Sequence, residues 1–311
     1  MVLSWVIGSG GLLGSALQRS IQSNPFLQAF TPSFKFTWGD LSQLAIEFEI
    51  LTKEFSAITG YRSWQIYWAA GSGAMSSSKE SLERETETIA LFLHFLKKNI
   101  SPESSGAIFF SSSAGAIYAG HSKDLITENS PLSPNSYYGN EKILHEKLFC
   151  DFSKATPNVS LLIGRLSTLY GVGQSHTKSQ GLISALARNI IHKNPTHIYV
   201  PLDTIRDYLF CDDAAQEITS SLASLEDGQI QSKIIANEKC STISEIISVF
   251  SRISKVNPRI ITSHSQNSQL YSPQTRFKSI YAQEHEKTPL YIGIAKVFAS
   301  ELSQYAQPTD F

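Results

Sequence analysis

Tyr138 and Lys142 stand four residues apart in the stretch Tyr137-Tyr138-Gly139-Asn140-Glu141-Lys142. The run that follows, Ile143, Leu144, Leu148, Phe149 and Phe152, places apolar residues at helical spacing. On a helix, residues four apart share a face, so the phenol and the ammonium can address one reacting centre. A free phenol has a pKa of about 10 and is a poor base at neutral pH. A fixed cation beside it stabilises the phenolate and draws that value toward a useful range. The same spacing also occurs in the first turn of ordinary surface helices, so its chemistry depends on what positions it.

The N-terminus supplies the first part of a scaffold. Val2–Ile7 is a short apolar run that predicts a buried parallel strand. Gly8-Ser9-Gly10-Gly11-Leu12-Leu13-Gly14 follows at once, then a helical run to about Ile21. Strand, glycine turn and helix in immediate succession are the setting of a dinucleotide site, the alternative being a glycine turn without a ligand. Gly8 permits the tight turn, Gly11 lets backbone approach a pyrophosphate, and Gly14 lets helix pack on strand. The helix N-terminus at Leu12 and Leu13 then turns its N–H groups and positive dipole end to the phosphates.

Residues 26–30 predict a second strand and residues 34–38 a third, ending in Gly39-Asp40-Leu41. A dinucleotide fold places an acid after its second strand for the adenosine ribose. Here Thr31, Ser33 and Lys35 occupy that stretch, with no Asp or Glu. An acid would repel a 2′-phosphate, so the reading leans toward NADP, with NAD tolerated. Asp40 can hydrogen-bond the adenine edge or N-cap a helix from Leu41 to about Phe55, and the two roles are compatible.

Residues 64–71 predict a fourth strand, whose last residues include Ala69 and Ala70, small enough for a flat cofactor to lie against backbone. Lys79–Asn99 predicts a long helix. Residues 106–110 predict a fifth strand that delivers Ser111, Ser112 and Ser113 to the sheet's C-terminal edge, where sites of α/β folds lie. Farther on, residues 181–191 have helical spacing, and Asp212 or Asp213 is placed to cap a helix from Ala214 to about Leu225. Residues 233–236 form a strand, residues 241–245 a capping box, and residues 289–305 a terminal helix.

At 311 residues, 41% hydrophobic and 17% charged, the chain can bury a large core. A net charge of −1 and the lack of a long basic run exclude nucleic acid and anionic membrane surfaces as expected partners. No apolar run approaches the roughly 18 residues of a membrane span. Three widely spaced cysteines, Cys150, Cys211 and Cys240, suit reduced thiols in a cytoplasmic protein. The histidines show no ligand spacing, so no metal site is expected. His176 and Lys178 follow Tyr170-Gly171 and read as loop residues or as contacts at a substrate mouth.

Taken together, Gly8/Gly11/Gly14, Ala69-Ala70, the serine run with Tyr118, and Tyr138-x-x-x-Lys142 resemble the extended short-chain dehydrogenase/reductases, in the NAD(P)-dependent epimerase/dehydratase branch acting on nucleotide sugars. Arg165-Leu166-Ser167-Thr168-Leu169-Tyr170-Gly171 is similar to that family's R-x-x-N-x-Y-G loop, and residues 206–213 to its R-D-Y-x-x-V-x-D segment. The resemblance implies an α/β fold, a Rossmann doubly wound parallel sheet with a smaller C-terminal α+β substrate domain. The expected division is a dinucleotide-binding domain over residues 1–170 and a substrate domain over residues 171–311, the chain returning to the first near residues 207–236.

The resemblance further implies site roles. Tyr138 would be the acid/base that exchanges a proton with a sugar hydroxyl, Lys142 would hold the nicotinamide ribose, and Ser113 would bond the same sugar oxygen, with Ser112 as alternate. Gly8, Gly11, Leu12, Leu13, Gly14, Lys35, Asp40, Leu41, Ala69, Ala70 and Ser111 would line the cofactor. Arg206 would clamp the substrate pyrophosphate, and Thr168 would stand where the family's asparagine touches that phosphate. The helix Lys79–Asn99, with Ile89, Leu93 and Leu96 on one stripe and Phe92 and Phe95 beside it, would pair with the Tyr138 helix in a homodimer, or else both stripes pack on the sheet. Where the family's 4,6-dehydratases carry Asp-Glu after the serine run, this chain has Ala114 and Gly115, which favours epimerisation or carbonyl reduction over dehydration. The expected activity is therefore NAD(P)-linked epimerisation or reduction at a sugar carbon, of a nucleotide sugar for a surface polysaccharide. A reductase of a non-nucleotide carbonyl compound and a non-catalytic dinucleotide sensor are the alternatives.

Overall fold

Parallel strands are buried on both faces and need helices on both sides, and the apolar runs of this chain are spaced to provide them. The computed structural model describes residues 1–60, 62–71, 73, 75, 77–121, 125–174, 181–263, 276–281 and 285–306. In chain order it runs β1 (Val2–Ile7), α1 (Leu12–Ser23), β2 (Leu27–Ala29), α2 (Leu41–Thr59), β3 (Trp64–Trp68), α3 (Lys79–Asn99), β4 (Gly106–Ser113), α4 (Ala114–Ile117), β5 (Leu125–Ile126), α5 (Tyr137–Lys154) and β6 (Val159–Leu166). Then come β7 (Thr168–Tyr170), α6 (Leu182–Ile191), β8 (Thr196–Ile198), β9 (Ile205–Phe210), α7 (Cys211–Ala223), β10 (Ile230–Ile235), β11 (Cys240–Thr242), α8 (Ile243–Ser254), β12 (Ile260–Thr262), β13 (Arg276–Phe277) and α9 (Leu290–Ala306).

Six strands form one parallel sheet in the order β10-β6-β4-β3-β1-β2. Strand order reverses direction at β1, so a crevice opens at the C-terminal ends of β1 and β3, the switch point of a Rossmann fold. One face of the sheet packs on α1 and α7 through Val6, Leu17, Tyr67, Phe109 and Ile218. The other packs on α2, α3 and α5 through an aromatic core that includes Trp5, Phe48, Phe55, Trp68, Phe92, Phe110 and Phe149. Phe110 and Phe149 stack with centroids 4.6 Å apart, which seats α5 on β4. The apolar stripe of α3, Ile89, Phe92, Leu93 and Leu96, is buried in this same core. Among the described residues no helix is long and apolar enough to cross a membrane.

The segment predicted as a third strand is not one. Strand β2 has only three residues and ends level with Ser4, so nothing continues the ladder beside residues 34–38. The segment instead climbs along α2: Ser33 Oγ donates to Glu54 at 3.0 Å, and Thr37 gives its backbone N–H and hydroxyl to the buried Glu47 at 2.8 and 2.7 Å. Phe36 turns its ring onto Phe48 at 5.0 Å. Asp40 does cap α2, accepting from Gln43 N at 3.0 Å.

A second core joins Tyr170, α6, β9, α8 and α9 around Ile183, Leu186, Tyr208, Phe250 and Ile294. Its sheet runs β11-β9-β7, so β9 lies outside the large sheet, to which the chain adds α7 and β10. Neither Asp212 nor Asp213 caps α7, which starts at Cys211. Asp212 instead pairs with Arg19 of α1, and Asp213 accepts from Thr288 N and Oγ1, both at 2.7 Å, fixing the approach to α9. The capping box at Thr242 and Glu245 is present.

Helix α5 is fastened to α3 by polar groups as well as rings. Thr86 Oγ1 lies 2.6 Å from Glu141 Oε2 and 2.7 Å from His145 Nε2. His145 is buried, and burial followed by the charge of Lys142 pushes its pKa down to about 4.

Two predictions follow from this packing. An unfolded histidine takes up a proton near pH 6.5, whereas His145 in the fold resists it until about 4, so acid favours the unfolded chain across that window. Stability should fall by about 2–3 kcal/mol between pH 7 and 4.5 in denaturant titrations, and His145→Gln should flatten that slope. The glycine loop gives a contrast: a Cβ at Gly14 would stand 2.1 Å from Gly8 O, whereas one at Gly11 meets only Gly8 O at 3.4 Å. Gly14→Ala should lower stability by about 1–3 kcal/mol; Gly11→Val should keep the wild-type melting temperature yet lose NADH and NADPH binding in fluorescence titrations.

Candidate active site

The glycine loop and the end of β3 are pressed together. Gly8 adopts φ +88°, and a Cβ on it would lie 2.5 Å from Ala70 N, so only glycine fits. Ala69 and Ala70 are thereby held beside the loop. Gly11 N donates to Gly8 O at 3.0 Å, and α1 starts at Leu12 with Gly11 as its N-cap and no capping side chain. An anion approaching here meets backbone N–H groups and the positive end of α1. Asp40 and Leu41 open α2, and Lys35 is exposed on the segment after β2.

The three serines part company. Side chains alternate along a strand, so Ser111 and Ser113 share one face of β4 while Ser112 turns to the other and is buried there. Ser112 Oγ donates to Glu146 Oε1 at 2.5 Å, which turns it toward the interior, away from Ser113. Arg165 stands beside Ser112 in the β4–β6 register and clasps the same carboxylate, Nη2 to Oε2 at 2.8 Å and Nε to Oε1 at 3.2 Å. Its Nη1 donates to the Tyr118 hydroxyl at 2.6 Å. Tyr118 and Arg165 thus belong to a buried network that braces the serine turn.

Ser113 ends β4 and precedes α4, its side chain making no cap. Helix α5 closes on this turn through Gly139, where a Cβ would stand 2.6 Å from Ala116 O. Ser136 caps α5, accepting from Gly139 N at 3.1 Å, so the first turn carrying Tyr138 is held at both ends.

Lys142 Nζ lies 5.6 Å from the Tyr138 ring centroid and 5.4 Å from that of Phe110. The lysine is buried and donates to Glu85 Oε1 of α3 at 3.0 Å. Burial alone would push Lys142 down, but Tyr138 and Glu85 outweigh it and hold the ammonium above its usual range. For Glu85, burial acts upward and is outweighed by Lys142 and the Gly73 N–H, which keep it ionised. The pair is therefore a buried cation and anion directly behind the phenol.

Thr168 and Arg206 lie in the small sheet, where Thr168 is paired with Tyr208, two residues along from Arg206, so both side chains share a face. Only Ser167 separates the end of β6 from β7, and Leu166 is the β6 partner of Ser113, so Thr168 emerges at the same sheet edge as the serine turn. Burial disfavours the Arg206 charge and pushes its pKa down. His176 and Lys178 lie outside the described residues.

Glu85, Glu146 and Gly139 escaped the sequence reading. A signal existed: Leu82, Glu85 and Ile89 fall on one helical row of α3, and Lys142, Glu146, Phe149 and Phe152 on one side of α5, so charges interrupt apolar stripes.

The chain was compared with known proteins. Residues 5–235 match the model of the NAD dependent epimerase/dehydratase family. A dTDP-4-dehydro-6-deoxyglucose reductase of Escherichia coli is 25% identical over 234 residues, which cover 70% of this chain and 71% of that protein. A UDP-glucose 4-epimerase of Thermotoga maritima, solved with UDP-glucose, superposes with a TM-score of 0.79 at 16% identity, over 98% of this chain and 100% of that one. RMD from Pseudomonas aeruginosa, complexed with NADPH, superposes with a TM-score of 0.76 at 18% identity, over 97% of this chain and 100% of that one. With the glycine loop, serine turn and Tyr138–Lys142 pair on one sheet edge and the family match spanning all three, the chain belongs to the NAD dependent epimerase/dehydratase family.

Proposed function

We propose that this protein catalyses NAD(P)-linked epimerisation or carbonyl reduction at a sugar carbon of a nucleotide sugar. The observation that carries this reading is the Tyr138–Lys142 pair, with its lysine buried and charged, at the edge where the glycine loop also opens. The residues fit a dinucleotide: a Cβ at Gly11 would meet only the loop's own Gly8 O, α1 points its N-terminus there, and two of the three Lys142 N–H groups are left after Glu85 takes one. When bound, the nicotinamide accepts or supplies the hydride.

Tyr138 takes the proton of a sugar hydroxyl as the carbon is oxidised and returns one to the carbonyl oxygen as it is reduced. Ser113 holds that oxygen by a hydrogen bond, and Lys142 holds the nicotinamide ribose. Arg206, with a planar fork that can take two oxygens, suits the substrate diphosphate, and Thr168 offers a hydroxyl beside it. Ala114 is buried and Gly115 has no side chain, so the turn offers no group to eliminate water. Of the three proteins compared above, the Escherichia coli reductase and the Thermotoga maritima epimerase, both acting on nucleotide sugars, support the same pair of reactions.

The two-part division near residue 170 is part of this reading, with substrate gripped by the second core. The outward Leu144, with the partly buried Leu91, Phe95 and Leu148, offers a surface for a homodimer. Free thiols at Cys150, Cys211 and Cys240 fit a reducing cytoplasm.

Turnover should fall by roughly 10²–10⁴ in Tyr138→Phe while NADPH binding and the melting temperature hold; wild-type turnover in that variant would remove Tyr138 from the reaction. For cofactor choice we favour NADP, because no carboxylate stands in residues 31–35. Ser33 is held by Glu54, so Thr31 and the exposed Lys35 are the groups left for a 2′-phosphate. Lys35→Ala should weaken NADPH by ~1–3 kcal/mol and leave NADH alone, as calorimetry can read; unchanged NADPH affinity sinks the assignment.

A further inference from the structure

Glu85 has no part in the reaction as derived above, yet it lies directly behind the reacting groups. Its Oε1 accepts from Lys142 Nζ at 3.0 Å and its Oε2 from the Gly73 backbone N–H at 3.1 Å. Two glycines of the loop leaving β3 close over it. A Cβ at Gly71 would stand 2.9 Å from Oε1, and one at Gly73 would stand 3.1 Å from Oε2 and 3.3 Å from Tyr138 Cε2. One carboxylate therefore touches the lysine and the strip of backbone that lies against the tyrosine ring.

We propose that Glu85 is a positioning residue for the Tyr138–Lys142 pair, fixing the ammonium and offsetting part of its charge so as to set the pH range in which Tyr138 exchanges its proton. This rests on the acid/base reading of Tyr138. An ammonium has three N–H groups; with one tied to Glu85, the others are confined to a narrow set of directions. A carboxylate 3.0 Å from the ammonium also weakens the field that the cation exerts on the phenol, since the two charges oppose each other at that point.

Among the described residues, the other charged or titratable groups near Lys142 are engaged elsewhere or neutral. From α5, His145 is neutral at working pH and Glu146 is held by Arg165 and Ser112, while Glu141 bonds Thr86 of α3. From β4, Phe110 presents a ring. Among the described residues Glu85 is thus the anion in direct contact with the lysine.

The test is a phenolate-absorbance titration, which needs no sugar substrate. Subtracting the curve of Tyr138→Phe from that of the full chain, with NADPH saturating, isolates the Tyr138 ionisation. The same difference is taken in the Glu85→Gln background. Glu85→Gln should move the Tyr138 transition to lower pH by about one unit, because the cation then acts unopposed. An unmoved or upward-shifted transition in folded Glu85→Gln overturns the proposal and leaves the acid/base reading intact. That reading fails separately, if Tyr138→Phe turns over UDP-glucose or dTDP-4-dehydro-6-deoxyglucose as fast as the wild type does. Should Glu85→Gln not fold, Glu85→Asn is read the same way; failure of both to fold assigns Glu85 to folding alone and overturns the proposal.

Discussion

A charge taken out of water has to be met by an opposite one, and α5 carries two such charges a single turn apart. Lys142 reaches sideways to Glu85 of α3, and Glu146 reaches inward to Arg165 of β6. Removing one partner of a buried pair typically costs about 3–5 kcal/mol, because the other charge is stranded. The two pairs therefore fix both the rotation and the depth of α5. Since Tyr138 is on that helix's first turn, its place at the sheet edge follows from these two pairs.

The aromatic core supplies bulk and the ion pairs supply direction. Phe149 stacked on Phe110 tolerates small slides, whereas an arginine fork on a carboxylate does not. Small residues complete the fit. Gly139 admits α4 against α5, Gly8 admits the end of β3, and Gly293 lies where a Cβ would stand 2.1 Å from the Tyr170 hydroxyl, which lets α9 close the second core. At each of these places two backbones or a backbone and a ring come closer than a side chain permits.

The segment after β2 shows the reverse balance. Its residues alternate as a strand should, with Phe34, Phe36 and Trp38, yet a strand needs a neighbour to bond. Strand β2 stops too early to be one, and the carboxylates of Glu47 and Glu54 on α2 take the hydrogen bonds instead. The stretch proposed above to meet the adenosine ribose is thus shaped by α2.

The sequence by itself determined the order and type of most elements, because periodicity is a local property that burial merely reinforces. Strand, glycine loop and helix at the N-terminus, the serine run at the end of β4 and the tyrosine and lysine one turn apart were all legible for that reason. What required tertiary structure was every feature that depends on which distant residues meet. Ser112 and Ser113 are adjacent and identical in type; only the register of β4 beside β6 and the carboxylate of Glu146 turn one inward and leave the other at the edge. Likewise Lys142 looks like a free cation in the chain, and it becomes half of an ion pair only when α3 brings Glu85, 57 residues away, to within 3.0 Å.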